Sequence, residues 1–230
     1  MCKTDHISYT TAVEYLTTID TPTLSNAIEL LATRSRGEGF TPACIRCMFP
    51  ELGRMCGYAV TAHVETLPQS APCDGEKFIE LYRTVQCSLK PAIIVFQETG
   101  ARPDMSAHCG EIMATIFKQL GAIGLLTDSC VRDIAEVRAL GFHCFARGSV
   151  ASHGHFRIVR VGDPVQILGL VVQPGDILHG DENGALLIPR EKIELVPGKV
   201  DLIRRRENDL LNYVRGAEFN LDDLRRWTVE

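Results

Sequence analysis

The sequence has no apolar run approaching the roughly 20 residues that a membrane-spanning helix needs. It also has no internal repeat, no low-complexity segment and no Gly/Ser linker that would divide it. One domain over residues 1–230 is therefore expected, with a core at about 20–190 and a helical C-terminal extension at about 190–230. Basic excess is missing too. The formal net charge is −5, which argues against a nucleic-acid binder with its usual basic face. The run Arg204-Arg205-Arg206 lies among acidic residues and reads as a solvated helix face. No Gly-rich strand-to-helix loop is followed by an acidic residue at the spacing of a nucleotide-type cofactor site, which argues against a methyltransferase. The N-terminal MCKTDHISYT lacks the apolar stretch of a secretory signal. With an odd count of nine cysteines, the expectation is a cytoplasmic protein with reduced thiols. Cys44-Ile-Arg-Cys47 has metal-like spacing, but no second pair follows, so two half-buried thiols are expected rather than zinc.

The hydrophobic fraction of 45% is ample for a core in a chain of 230 residues. Tyr9 to Ile19 reads as a helix, and Thr21-Pro22-Thr23 starts a second, Leu24 to Ala32, with Thr23 as cap. Arg34 to Leu52 has no periodicity and reads as an ordered loop that could cross to a neighbouring subunit. Gly57 to Thr66 is a strand, Gln69 to Gly75 a turn-rich loop and Glu76 to Cys87 a helix. Ala92 to Phe96 is the short continuous apolar run of a strand buried on both faces. Gly110 to Leu120 is a helix with Ile112, Met113, Ile116, Phe117 and Leu120 on its apolar side, and its open N–H groups suit a carboxylate.

Gly121 to Gly148 is the organising stretch. Ala122 to Leu126 reads as a buried strand that ends at the turn and cap residues Thr127, Asp128 and Ser129. A helix follows with Val131, Ile134, Ala135, Val137, Ala139 and Leu140 as apolar positions, and Phe142 to Ala146 is the next strand. This is a β-α-β unit, and ligands bind at the carboxyl ends of such strands. Asp128 or Ser129 could simply cap the helix, and Asp133 could complement its dipole. Further on, Arg157 to Val161 and Val165 to Val172 read as strands, with His153 and His155 as neighbours on one strand face. His108 and His179 could line the same pocket as those two. Asn183-Gly184 between apolar runs signals a hairpin, so Asp181 and Glu182 read as turn chemistry rather than a metal site. Pro189 to Val214 is a helical stretch that Pro197 should interrupt, and Phe219 to Trp227 is a short helix that could pack on a partner.

Several pieces recur in one order. The run Gly124-Leu-Leu-Thr-Asp-Ser-Cys-Val-Arg132-Asp133 comes after Gly53-Arg-Met-Cys-Gly-Tyr-Ala-Val-Thr61 and Gly110-Glu-Ile-Met113. Gln173-Pro-Gly-Asp-Ile177 and Asp181-Glu-Asn-Gly184 follow. Together, over roughly Asp20 to Arg190, this set resembles the RraA-like family. That family includes class II 4-hydroxy-4-methyl-2-oxoglutarate/4-carboxy-4-hydroxy-2-oxoadipate aldolases and the ribonuclease regulators for which it is named. Ser129 stands where the family usually has Gly, and Met113 where Leu is common. The resemblance implies a layered α/β/β/α domain with central β-α-β units and helical N- and C-terminal extensions. It implies a lyase dependent on Mg2+ or Mn2+ that cleaves a 2-oxo acid to pyruvate, with oxaloacetate decarboxylation as a related activity. Asp133 would bind the metal directly and Glu111 through a water. Arg132 would contact the substrate's ketone oxygen, and the backbone of Gly110, Glu111, Ile112 and Met113 would hold its carboxylate. Asp128 would support the turn. The resemblance further implies a homotrimer or hexamer, with an acidic residue entering each site from a neighbouring subunit. A regulator that binds a ribonuclease or RNA helicase without catalysis is the alternative it leaves open.

Overall fold

The computed structural model describes residues 12–67 and 75–227. Its helices are α1 (Thr21–Glu29), α2 (Gly75–Cys87), α3 (Glu111–Gln119), α4 (Ile134–Ala139) and α5 (Val196–Arg215). Its strands are β1 (Arg46–Cys47), β2 (Met55–Thr66), β3 (Ala92–Glu98), β4 (Ala122–Thr127), β5 (Cys130–Val131) and β6 (His143–Ala146). There follow β7 (Gly148–Ser149), β8 (Phe156–Val161), β9 (Val165–Ile167), β10 (Leu170–Val172), β11 (Ile177–Asp181) and β12 (Gly184–Ile188).

The apolar runs become the centre of the sheet, as a strand covered on both faces must be apolar throughout. β2, β3, β4 and β6 pair in parallel, with Tyr58 opposite Ala92 and Phe96 opposite Thr127. The eight-stranded sheet has the order β1-β6-β4-β3-β2-β11-β12, and β8 also pairs with β2. Helices α2, α3 and α4 cover one face, where Leu81, Val85, Phe117 and Val137 pack on Val60, Ile94 and Leu125. On the other face Ile93, Val95, Leu126 and Phe145 meet the β9–β10 hairpin through Val165, Ile167, Leu170 and Val172. α1 and α5 pack on β11 and β12 through Leu24, Ile28, Ile177, Ile188, Val196 and Val200. The layered α/β/β/α architecture holds, with its helical extensions outside.

Several local expectations are corrected. α1 begins at Thr21, and its cap is Asp20, whose carboxylate accepts from Thr23 N at 2.9 Å. Thr23 is thus inside the helix, which ends at Glu29 rather than Ala32. The single strand expected over Val165 to Val172 is a hairpin that turns at Leu168 and Gly169, both at positive φ. Pro197 does not break a helix. It lies in the first turn of α5, where a missing N–H has no acceptor to lose. The segment 34–52 is an ordered loop, as expected, and within the chain Thr41 N donates to Ala185 O, Leu187 N donates to Gly39 O, and β1 pairs with β6. The short helix expected over Phe219 to Trp227 is a helical turn at Leu221–Arg226, with Trp227 stacked on Tyr213 of α5. Ile112 is on the open side of α3, 74% exposed, while Ala114 and Phe117 are buried. Gln69 to Asp74 and the first residues of the Tyr9 to Ile19 helix fall outside the described residues, and 12–16 are helical. Among the described residues no helix is long and apolar enough to cross a membrane.

Candidate active site

The carboxyl ends of β3 and β4 carry a buried polar cluster. Glu98 ends β3, and its carboxylate accepts from Thr66 N (2.8 Å), Thr66 Oγ1 (2.5 Å) and Gly100 N (2.6 Å). His108 Nε2 lies 2.8 Å from Glu98 Oε2, and Nδ1 lies 2.9 Å from Thr127 Oγ1. An ionised carboxylate only accepts, so Nε2 carries the hydrogen. Burial by itself would raise the Glu98 pKa, but the hydrogen bonds from His108 and Thr66 outweigh it and hold the carboxyl at about 2. Asp128 accepts from Glu98 N at 2.6 Å, and its carbonyl accepts from Arg147 Nε at 2.6 Å. It therefore braces the turn, as the resemblance implied, and burial pushes its own pKa up.

This cluster fixes two segments side by side. His108 N donates to Cys130 O (2.8 Å) and Arg132 N to Cys109 O (3.0 Å). Ser129 Oγ donates toward Pro103 O and Ser106 O, at 2.6 and 3.0 Å. Because 130–131 are spent on strand β5, α4 starts at Ile134. Asp128 and Ser129 are thus not its cap, and Val131 is not on it. Asp133 occupies the cap position in the left-handed region, at φ 54°, with no side-chain bond to its own helix. Its carboxylate turns instead to α3, where Oδ2 accepts from Glu111 N at 3.0 Å.

Gly110, Glu111, Arg132 and Asp133 are thereby brought together. Arg132 Nε is 3.5 Å from Asp133 Oδ2, and the two side chains remain about a third exposed (34% and 33%). A Cβ at Gly110 would lie 2.4 Å from Asp133 Oδ2 and 3.0 Å from Arg132 Nε, so only glycine leaves room for this pair. Asp133 uses the Glu111 amide, but Ile112 and Met113 N–H belong to the first turn of α3 and have no acceptor within the helix. Arg132, Asp133 and the start of α3 combine a guanidinium, a part-exposed carboxylate and the N–H groups of Ile112 and Met113. Such a set can hold an anion beside a cation.

Other candidates lie elsewhere. His153 and His155 are in the loop before β8, not on a strand, and they line a cavity with Arg102 and Met105. His108 is fully buried in the Glu98 cluster, and His179 is fully buried beside Thr21, so neither lines that cavity. Cys109 and Cys130 are buried. Burial pushes the Cys109 thiol up to about 12 and raises Cys130 as well, so both are uncharged thiols and not nucleophiles. Cys44 is exposed rather than half-buried, Cys47 is half-buried, and among the described residues no group of three or more His, Cys, Asp or Glu could hold a metal. Asp181 serves its turn, accepting from Asn183 N and Thr21 N. The Glu98–His108 cluster has only a faint sequence signal, a charged residue ending an otherwise apolar run.

Fold and site together define a class: a mixed α/β domain with a carboxylate–guanidinium pair set against a helix start at the carboxyl ends of its parallel strands. The profile of the RraA-like family, described as Aldolase/RraA, matches residues 21–187, and the chain belongs to that family. It is 29% identical over 122 residues to an uncharacterized protein of Methanocaldococcus jannaschii, covering 53% of this chain and 59% of that protein. A putative 4-hydroxy-4-methyl-2-oxoglutarate aldolase of Halalkalibacterium halodurans is 33% identical over 91 residues, covering 39% and 43%. The chain thus spans less than two thirds of these relatives' length. The solved structure of Streptomyces coelicolor RraAS2, described as an unusual member of the RNase ES inhibitor RraA protein family, shares the fold. Its TM-score is 0.67 at 20% identity, over 86% of this chain and 94% of that one.

Proposed function

We propose that the protein is a divalent-metal-dependent lyase that cleaves a carbon–carbon bond of a 2-oxo acid to release pyruvate. The observation that carries this reading is the convergence of Asp133, Arg132 and the open start of α3 on one solvent-accessible spot. A pure binding module has no need of that set. The donor set fits a hydrated hard cation: Mg2+ and Mn2+ take few protein oxygens and keep several waters, and the Asp133 side chain is about a third exposed (33%). Asp133 would hold the ion, which would supply Lewis-acid stabilisation of negative charge on the substrate.

The chain's own residues do the rest. Ile112 and Met113 N–H receive the substrate carboxylate. The Arg132 guanidinium faces the ketone oxygen and stabilises the charge of the pyruvate enolate as the bond breaks, where preorganised positive charge acts most strongly. Glu111, exposed and one residue from the anchoring amides, orients a water at the site. Oxaloacetate decarboxylation passes through the same enolate. We further infer that the protein assembles as a homotrimer or hexamer, with an acidic side chain of a neighbouring copy entering each site.

The direct test is pyruvate release from oxaloacetate and from 4-carboxy-4-hydroxy-2-oxoadipate, with Mg2+ or Mn2+ and then with chelator. Chelator-sensitive pyruvate supports the lyase. No pyruvate from either substrate, in a protein that also shows no Asp133-dependent metal binding, favours the non-catalytic regulator. Gly110→Ala is expected to lower turnover by about a hundredfold, because its Cβ displaces both Asp133 and Arg132. Steady-state kinetics showing normal turnover would remove the steric argument for this site.

A further inference from the structure

Strand β2 changes partner along one edge. β11 pairs with Met55 to Tyr58, and β8 pairs with Ala62 to Thr66. Between them Ala59 and Thr61 meet only turns: Ala59 N donates to Asp176 O, Gly175 N to Ala59 O and Gly162 N to Thr61 O. A slot opens there, with a cavity of about 660 Å³ between β2, the last turn of α2 and the turns at Gly162 and Gly175. Volumes of this order take small organic ligands. The slot lies toward the Ala92 end of β3, whereas Glu98 and the Arg132–Asp133 pair lie toward the other end.

The wall is mostly apolar, with Tyr58, Val60, Leu89 and Pro174, and among the described residues no carboxylate lines it. Two polar features stand out. Thr61 is fully buried in the wall, and its Oγ1 has no hydrogen-bond partner among the described residues. At the rim, exposed Arg83 has no ion pair or hydrogen bond among the described residues. The carbonyl end of α2 would repel an anion, but Lys90 Nζ covers Val85 O and reaches Ser88 Oγ at 3.1 Å, adding a second positive charge nearby.

We propose that this slot is a second ligand site, separate from the candidate active site, for a small organic acid with an apolar body and one carboxylate. The apolar body fills the slot beside Leu89 and Pro174, and the carboxylate pairs with Arg83. Cys87 is exposed on the same rim, and Cys44 is exposed on the loop before β1, so the two thiols form a reporter and its internal control.

The experiment is the rate of iodoacetamide alkylation at Cys87 and Cys44 of the full chain, read by peptide mass spectrometry. Benzoate is the probe and benzamide its neutral counterpart. Benzoate is expected to slow alkylation of Cys87 and leave Cys44 unchanged. Benzamide, or benzoate with Arg83→Gln, should need about tenfold or more higher concentration for the same fractional protection. The proposal is overturned if Cys87 reacts at the same rate with and without benzoate. Equal protection by benzamide, or unaltered protection in Arg83→Gln, overturns it too. A Cys87 rate that rises on dilution without probe would also overturn it, because the slot would then be an interface between copies of the chain.

Discussion

Asp133→Asn is expected to reduce metal-dependent pyruvate release by about a thousandfold or more, while the thermal midpoint moves by no more than a few degrees. The choice of asparagine is structural. Asp133 sits at φ 54°, which asparagine tolerates far better than most residues, and the amide oxygen can still accept from Glu111 N. Only the negative charge is lost. Asp133→Ala should lose the same activity, and it also surrenders the bond to Glu111 and places alanine in a strained region. Agreement between the two variants separates charge from geometry. Arg132→Ala is expected to lower turnover by roughly a hundred- to a thousandfold, with little change in metal affinity, because its part is played toward the developing enolate. Calorimetric titration with Mn2+ beside the pyruvate assay reads both quantities. Unchanged turnover in purified, folded Asp133→Asn would refute the assignment.

The second large effect concerns stability. Glu98→Gln is expected to destabilise the fold by about 3 kcal/mol, which corresponds to a fall in midpoint of roughly 10 °C for a chain of this size. The side chain is 2% exposed and accepts four hydrogen bonds, from His108, Thr66 (twice) and Gly100. Glutamine keeps the volume, but it turns an amide N–H₂ toward donors. The pH dependence has a definite sign. The folded pKa of about 2 lies below the ordinary glutamate value of 4.5, so the ionised group stabilises the fold above the higher value. That contribution is lost as pH falls toward 2. The difference in midpoint between wild type and Glu98→Gln should therefore be constant above about pH 5 and shrink below it. Thermal scans from pH 7 downward measure this, and a midpoint within about 2 °C of wild type at pH 7 would show that the cluster contributes little. Because the cluster holds His108 against Thr127, the same variant should also loosen the approach of Gly110 to Asp133.

Some of this molecule is determined by the sequence alone. The unbroken apolar runs at Ala92 and Ala122 dictate buried parallel strands, and Asn183-Gly184 dictates a hairpin. Gly110 before an amphipathic run dictates a helix start with open amides. These features depend on residues a few positions apart, so periodicity and turn chemistry suffice. What only the tertiary structure decided is how distant side chains use one another. Asp133 looks in sequence like a residue for the start of α4, yet it caps α3, because β5 takes up 130–131 and turns the backbone at 133. His108 reads in sequence as a residue that could line a pocket, yet it forms a buried pair with Glu98, held by Thr66 and Thr127 from other strands. The slot beside Thr61 exists because β2 is longer than either strand on its outer edge. Each of these outcomes depends on packing between segments far apart in the chain, for which local pattern carries no information.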